Sequence, residues 1–193
     1  EHVRRLASEG CRPRLPWASA LNDFKQNPTP ILPILENLKQ DESEYVRRSV
    51  ANNLNDISKD HPDLVIEIAK DWIGQHPLTD RLLKHGCRTM LKAGKPEVLR
   101  LFGYPEPNHI KIDDFQADEL VYLNDDFNFS FSIKTKNQKP LGQIRVEYEL
   151  EFARLGDKLS RKIFRLVDNY IQDSSKNFSK QFSFRPLSTR KYY

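Results

Sequence analysis

The spacing of apolar residues along the chain changes period once. Up to about Tyr104 they recur every three or four positions, and from about His109 every second position. Val46, Val50, Leu54 and Ile57 form one buried helical stripe. Residues 30–40 and 62–76 read as further helices, the second opened by Pro62 with Asp63 just after it. In the later part Phe127, Phe129, Phe131 and Ile133 alternate with small polar residues, and Ile144, Val146, Tyr148, Leu150 and Phe152 with charged ones. Residues 158–167 and 178–184 look similar. Strands with one apolar face predict a small β-sandwich. The expected layout is a helical domain at 1–104, a Pro-rich linker at 105–108 and a β-sandwich at 109–193.

The helical part repeats itself. Glu1-His2-Val3-Arg4-Arg5 matches Glu44-Tyr45-Val46-Arg47-Arg48 at an offset of 43 residues, and a weaker third copy starts at Asp80-Arg81-Leu82-Leu83-Lys84. Each copy is separated from the next by another helix. Paired helices with a period near 40 predict a HEAT-like or armadillo-like solenoid with an extended concave surface.

On the second copy a face distinct from the buried stripe carries Arg48, Asn52, Asp56 and Lys59. The repeat offset continues it as Arg5, Glu9 and Arg12 in the first copy, and as Lys84, Arg88, Lys92 and Lys95 in the third. Stacked repeats would align these into a basic track with two carboxylates, Glu9 and Asp56, set within it. Such a track suits a phosphate backbone. The carboxylates repel phosphate, so they imply either a cationic target or acid/base work. The alternative is that they only neutralise neighbouring arginines. Trp17, in Arg12-Pro13-Arg14-Leu15-Pro16-Trp17, either faces a ligand or plugs a seam between repeats, whereas Trp72 is spaced as core.

Composition narrows the field. The chain has 193 residues, 38% of them apolar and 30% charged, with 20 aromatics that argue against disorder. The formal net charge of +4 does not by itself establish a nucleic-acid partner. No run of 18 apolar residues occurs. Cys11 and Cys87 make neither a disulfide framework nor a zinc motif, and the five His show no metal-ligand spacing. Phosphate-cradling glycine motifs are missing as well, which disfavours nucleotide chemistry. No cofactor and no metal are expected. The chain opens without Met and closes directly after strand-like sequence, so it reads as part of a longer protein.

Three stretches carry a family resemblance. EHVRRLASEG at 1–10 with RPRLPW at 12–17, SEYVRRSVANNLNDISKDHP at 43–62, and HGCRT at 85–89 running on to LFG at 101–103 resemble the AlkC branch of the bacterial HEAT-like DNA alkylation-repair glycosylases. The resemblance covers the whole chain. It implies an immunoglobulin-like domain after the repeats, where the period-two half lies. It implies a monofunctional DNA N-glycosylase that removes cationic alkylated bases, N3-methyladenine and N3-methylcytosine, without fully flipping them. It places Glu9, Trp17 and Asp56 among the active-site residues. Arg5, Arg12, Arg14, Arg48, Lys59, Lys84, Arg88 and Lys92 would hold phosphates, and Lys158, Arg161, Lys162 and Arg165 would reach the duplex from the β-domain.

The family's earlier repeats would precede Glu1, which puts turnover by this stretch alone in doubt. The implied setting is the bacterial cytoplasm at the nucleoid. The implied partner is double-stranded DNA, bound by a monomer with no cofactor. The competing expectation is a noncatalytic HEAT-repeat scaffold that binds DNA or a protein.

Overall fold

A computed structural model describes residues 1–122, 124–154 and 158–184, the side chain of residue 154 excepted. The chain divides into two compact units, Glu1–Phe102 and Gly103–Tyr193. The division falls at Gly103, whose φ of 77° takes the chain out of the last helix.

The first unit is helical. Its helices are α1 (His2–Gly10), α2 (Asn22–Gln26), α3 (Leu32–Leu38), α4 (Glu44–Ile57), α5 (Pro62–Trp72), α6 (Pro77–Gly86), α7 (Arg88–Lys92) and α8 (Pro96–Leu101). Proline at the first or second position starts α3, α5, α6 and α8, where its missing N–H costs nothing. The central element is α4, which packs against α1 on one side and α6 on the other. Its stripe of Val46, Val50, Leu54 and Ile57 is buried, and Trp72 joins the same core. A Cβ on Gly86 would sit 3.3 Å from Leu54 Cβ and 3.4 Å from the Ala51 carbonyl oxygen. Glycine there lets α6 approach α4 closely.

Helix α4 also buries Ser49, Asn53, Asn55 and Asp56. Buried polar groups need partners, and these act as hooks to the two flanking helices. Ser49, Asn53 and Asp56, at i, i+4 and i+7, face the α1 side. Asn53 Nδ2 donates to the Ser8 carbonyl at 2.9 Å. On the other flank, Asn55 Oδ1 accepts from the Thr89 backbone N–H and hydroxyl at 3.3 and 2.9 Å, tying the start of α7 to α4.

The second unit is all β. Strand β1 (Ile110–Ala117), β2 (Asp126–Thr135) and β5 (Ser175–Ser183) form an antiparallel sheet in the order β1-β2-β5. Strands β3 (Gly142–Arg154) and β4 (Lys158–Ile171) form a second sheet. The sheets share a core of Phe129, Phe131, Ile133, Leu141, Ile144 and Ile171. Tyr148 of β3 meets Phe129 edge-on at 5.0 Å, and Phe164 of β4 meets Phe182 of β5 at 5.2 Å. A register shift at Val146/Glu147 inserts an extra β4 residue while keeping Phe164 stacked on Tyr148.

Candidate nucleic-acid interface

Helix α1 stops at Gly10, and Cys11 caps it with its N–H on the Glu9 carbonyl. Arg12 therefore lies just beyond the helix, in a turn that folds its side chain back towards α4. Its guanidinium bridges two carboxylates. Nη1 donates to Glu9 Oε1 at 2.5 Å, and Nε and Nη2 donate to Asp56 Oδ2 at 2.9 and 2.8 Å. The three side chains are largely buried, at 12% exposed for Arg12, 15% for Glu9 and 4% for Asp56.

The remaining carboxylate oxygens are held as well. Ser49 Oγ donates to Glu9 Oε2 at 2.8 Å and is itself held by Ser8 Oγ. Lys59 Nζ donates to Asp56 Oδ1 at 2.9 Å. Arg5 adds a looser pairing with Glu9 at 3.6 Å while lying over the Tyr45 ring. Burial opposes the charge on Arg12, but hydrogen bonds from Asp56 and Glu9 outweigh it and raise its pKa.

A carboxylate offers roughly four lone-pair sites. Asp56 accepts from Arg12 twice and from Lys59 once, so Oδ1 keeps an unused site. Glu9 retains more. Both can therefore accept from a further cation or a water without losing Arg12.

The chain from 13 to 21 closes on itself, with the Leu21 N–H on the Pro13 carbonyl at 3.0 Å. Trp17 stands on this loop, fully exposed, at φ 62°. Among the described residues it plugs no seam between repeats. A bulky residue in the left-handed region costs about 1–3 kcal/mol, and burial of the indole does not offset that cost. Arg14 on the same loop forks onto both Asp60 oxygens at 2.8 and 2.9 Å.

The other expected phosphate contacts have different surroundings. Arg88 donates to Asn52 Oδ1 at 3.1 Å and to the His85 carbonyl at 2.8 Å, and burial lowers its pKa, with the Arg12 charge adding to that and the Asp56 charge opposing it. His85 Nε2 lies 3.2 Å from the same Asn52 oxygen. Burial first, then Arg88 and Arg48, lower the His85 pKa, so the ring is neutral near pH 7. Lys84 is half-buried. Lys92 and Arg48 are exposed. Arg48 lines a groove of about 190 Å³ between α4 and α6, with Arg47, Arg81 and His85 around it and Glu44 at its edge.

Sequence reading missed Ser49, which holds Glu9, Asn53, which holds the end of α1 through the Ser8 carbonyl, and the groove residues Arg47 and Arg81. The signal for the first pair was polar residues at i and i+4 from Ser49, meeting Asp56 at i+7 beside an apolar stripe.

In the β unit the basic residues turn largely onto their own sheet. Arg161 pairs with Glu151 at 2.7 Å, Arg165 with Asp168 at 3.5 Å, and Lys162 lies over the Phe152 ring. Lys158 is exposed. A second Arg-bridged acid pair sits here. Arg145 joins Glu147 at 2.5 Å and Asp168 at 3.0 Å, and Asp168 also accepts from the Tyr104 hydroxyl.

Among the described residues no group of three or more His, Cys, Asp or Glu is placed to hold a metal. Burial pushes the Cys87 thiol up to about 12, and burial likewise raises Cys11, so neither is a ready thiolate. No described helix is long and apolar enough to cross a membrane.

Comparison with known proteins adds three findings. A family model described as "Uncharacterised protein YhaZ, C-terminal Ig-like domain" matches residues 111–193. The uncharacterized protein YhaZ of Bacillus subtilis (strain 168) is 44% identical over 195 residues, which cover all of this chain and 54% of that protein. The solved structure of Pseudomonas fluorescens alkylpurine DNA glycosylase AlkC, bound to DNA containing an abasic site analog, matches with a TM-score of 0.91 at 34% identity, over all of this chain and 54% of that one. The chain thus spans about half the length of both relatives. Its fold matches that of AlkC, and it carries a YhaZ-type C-terminal immunoglobulin-like domain over residues 111–193.

Proposed function

We propose that this chain is the base-excising part of a DNA N-glycosylase for cationic alkylated bases, with N3-methyladenine and N3-methylcytosine as substrates. The observation that carries the proposal is the buried Glu9–Arg12–Asp56 cluster, which keeps spare acceptor sites, in a chain with the fold of a DNA-bound alkylpurine glycosylase.

The chemistry follows from charge. An alkylated base is positively charged, which weakens its bond to C1′ of the sugar. When that bond breaks, the electron pair leaves with the base, which departs neutral, and the positive charge moves to the sugar as an oxocarbenium-like species. Glu9 and Asp56 stabilise that charge electrostatically. They also orient a water towards C1′, and one of them takes its proton. The exposed Trp17 ring offers its face to the cationic base, a contact worth about 0.5–2 kcal/mol. A leaving group already activated by its charge needs little general acid, and neutral His85 is not required as one.

The helical unit, Glu1–Phe102, serves as a HEAT-like surface. Arg5, Arg48, Lys59, Lys84, Arg88 and Lys92 provide its phosphate contacts. Arg14, paired with Asp60, reaches DNA only by leaving that partner. The partner is double-stranded DNA, bound by a monomer in the bacterial cytoplasm at the nucleoid. The β-sandwich after the linker adds backbone contacts through Lys158.

The test uses the natural full-length protein and duplex DNA with one N3-methyladenine. Abasic sites are read as strand breaks under base. Asp56→Asn and Glu9→Gln are expected to lose about 100-fold or more in single-turnover base release while retaining duplex affinity.

One observation favours a second reading, a noncatalytic DNA-binding protein. Both carboxylates are already paired with cations, as they would be if they only neutralised arginines. Under that reading the wild type releases no base, and Asp56→Asn changes only salt-dependent affinity.

A further inference from the structure

Sequence spacing puts Arg12 among the phosphate contacts, but its surroundings suit a different task. Its side chain is 12% exposed and every resolved polar contact it makes is to Glu9 or Asp56. Glu9 comes from α1 and Asp56 from α4, 47 positions apart in sequence. Without a bridge, two largely buried carboxylates facing each other would repel and turn apart. A guanidinium is a planar fork with donors on two edges, and it can grip two acids at once in a fixed geometry. The far oxygens are set independently, Glu9 by the buried Ser8–Ser49 pair and Asp56 by Lys59. Among the described residues Arg12 is therefore the group whose hydrogen bonds couple the two carboxylates to each other.

We infer that Arg12 is a positioning residue rather than a DNA contact. It holds Glu9 and Asp56 as one rigid pair, and in doing so sets the distance from both to the reacting sugar. The inference rests on the glycosylase reading above. Charge matters as much as geometry. A bare acid pair would push the approaching phosphates away, and the guanidinium offsets one of its two charges without filling its remaining acceptor sites. The other groups facing the pair are Arg5 from α1, Lys59 from the turn just after α4, and Arg88, next to neutral His85, from the α6–α7 side.

The experiment compares wild type, Arg12→Met and Arg12→Lys in the full-length protein, on the N3-methyladenine duplex. Duplex affinity is measured at several salt concentrations, and single-turnover base release at saturating protein. Misplacing a reacting group by about 1 Å costs about 100-fold, and that loss is expected in both variants. Lysine keeps a charge but cannot fork between two acids. Affinity and its salt dependence are expected to stay at wild-type levels.

If Arg12→Met does not fold, the Arg12→Lys rate and salt series decide the matter. A salt slope reduced by about 1 with base release unchanged at saturating protein makes Arg12 a phosphate contact and overturns the inference. So does full activity in Arg12→Lys. A wild type that releases no base instead overturns the glycosylase reading itself.

Discussion

Among the described residues two arginines that are themselves buried each grip two carboxylates, and the two clusters differ in what surrounds them. In the helical unit Arg12 holds Glu9 and Asp56, and in the β unit Arg145 holds Glu147 and Asp168. Burial does not separate them, since the side chains of Asp56 and Asp168 are 4% and 7% exposed. The neighbours do. Asp168 lies directly opposite Arg145 across β3 and β4 and is further saturated by Tyr104, Gln143 and Arg165. It has no acceptor site to spare and fastens the start of the unit at Tyr104 to the sheet. Asp56 and Glu9 keep free lone pairs, are flanked by the part-exposed cations Lys59 and Arg5, and share their end of α1 with the Trp17 loop. A buried acid pair therefore reads as a site only when its donors leave it unsaturated and its rim is cationic and open.

That contrast can be broken in order of expected effect. The largest change should come from Arg145→Met. Removing one member of a buried pair costs about 3–5 kcal/mol, so urea unfolding followed by near-ultraviolet signals of the β unit should show an early transition. Folded protein at low temperature should keep its base-release rate. A loss of rate without any loss of stability would put the second cluster in the site.

Next is Trp17→Ala. The lost cation–π contact of about 0.5–2 kcal/mol corresponds to a drop in base release of about 2- to 30-fold. The melting temperature should not fall, because the indole is exposed and its backbone strained. A fall in melting temperature would return Trp17 to a structural role.

Smaller still is Lys59→Ala. The slope of log affinity against log salt should shrink by about 1, read by fluorescence anisotropy at several salt concentrations. An unchanged slope would mean that Lys59 serves Asp56 alone.

The smallest effect concerns pH. Burial, Arg88 and Arg48 hold the His85 pKa below its ordinary value of about 6.5. The unfolded chain thus takes up a proton that the folded chain refuses. The contribution is fully present above about pH 6.5 and declines as the pH falls towards the folded-state pKa. Thermal melts of His85→Asn should be flatter over that interval than those of wild type, and parallel curves would show that His85 titrates normally.

Much of this was legible in the sequence, and the failures have physical causes. Helix α4 was readable because its apolar stripe holds a helical period over fourteen residues and is buried as expected. Strands β2 and β3 were readable from uninterrupted alternation, and β4 and β5 from a looser version of it that the β4 bulge breaks. Strand β1 was not, because only Ile110 and Ile112 alternate before the register shifts between Asp113 and Gln116, near Asp114 at φ 55°. The third copy's basic stripe was drawn as one continuous helix, but the chain breaks at Cys87 between α6 and α7, and Arg88 turns back to Asn52 and the His85 carbonyl.

Arg12 shows the same limit at the site. A helical projection carried past Gly10 places it outward beside Arg5, whereas the cap at Cys11 ends the helix and turns the side chain into the acid pair. Periodicity finds which residues share a face. It does not find where the face stops, and here the stop makes the cluster.

The most direct measurement sets Asp56→Asn beside Asp168→Asn in single-turnover base release from a duplex with one N3-methyladenine, with duplex affinity measured alongside. The expected result is a loss of about 100-fold or more for Asp56→Asn at retained affinity, with Asp168→Asn releasing base at the wild-type rate once folded. Equal rates in the two variants, or wild-type release from Asp56→Asn, would contradict the assignment of the Glu9–Arg12–Asp56 cluster as the site of base excision.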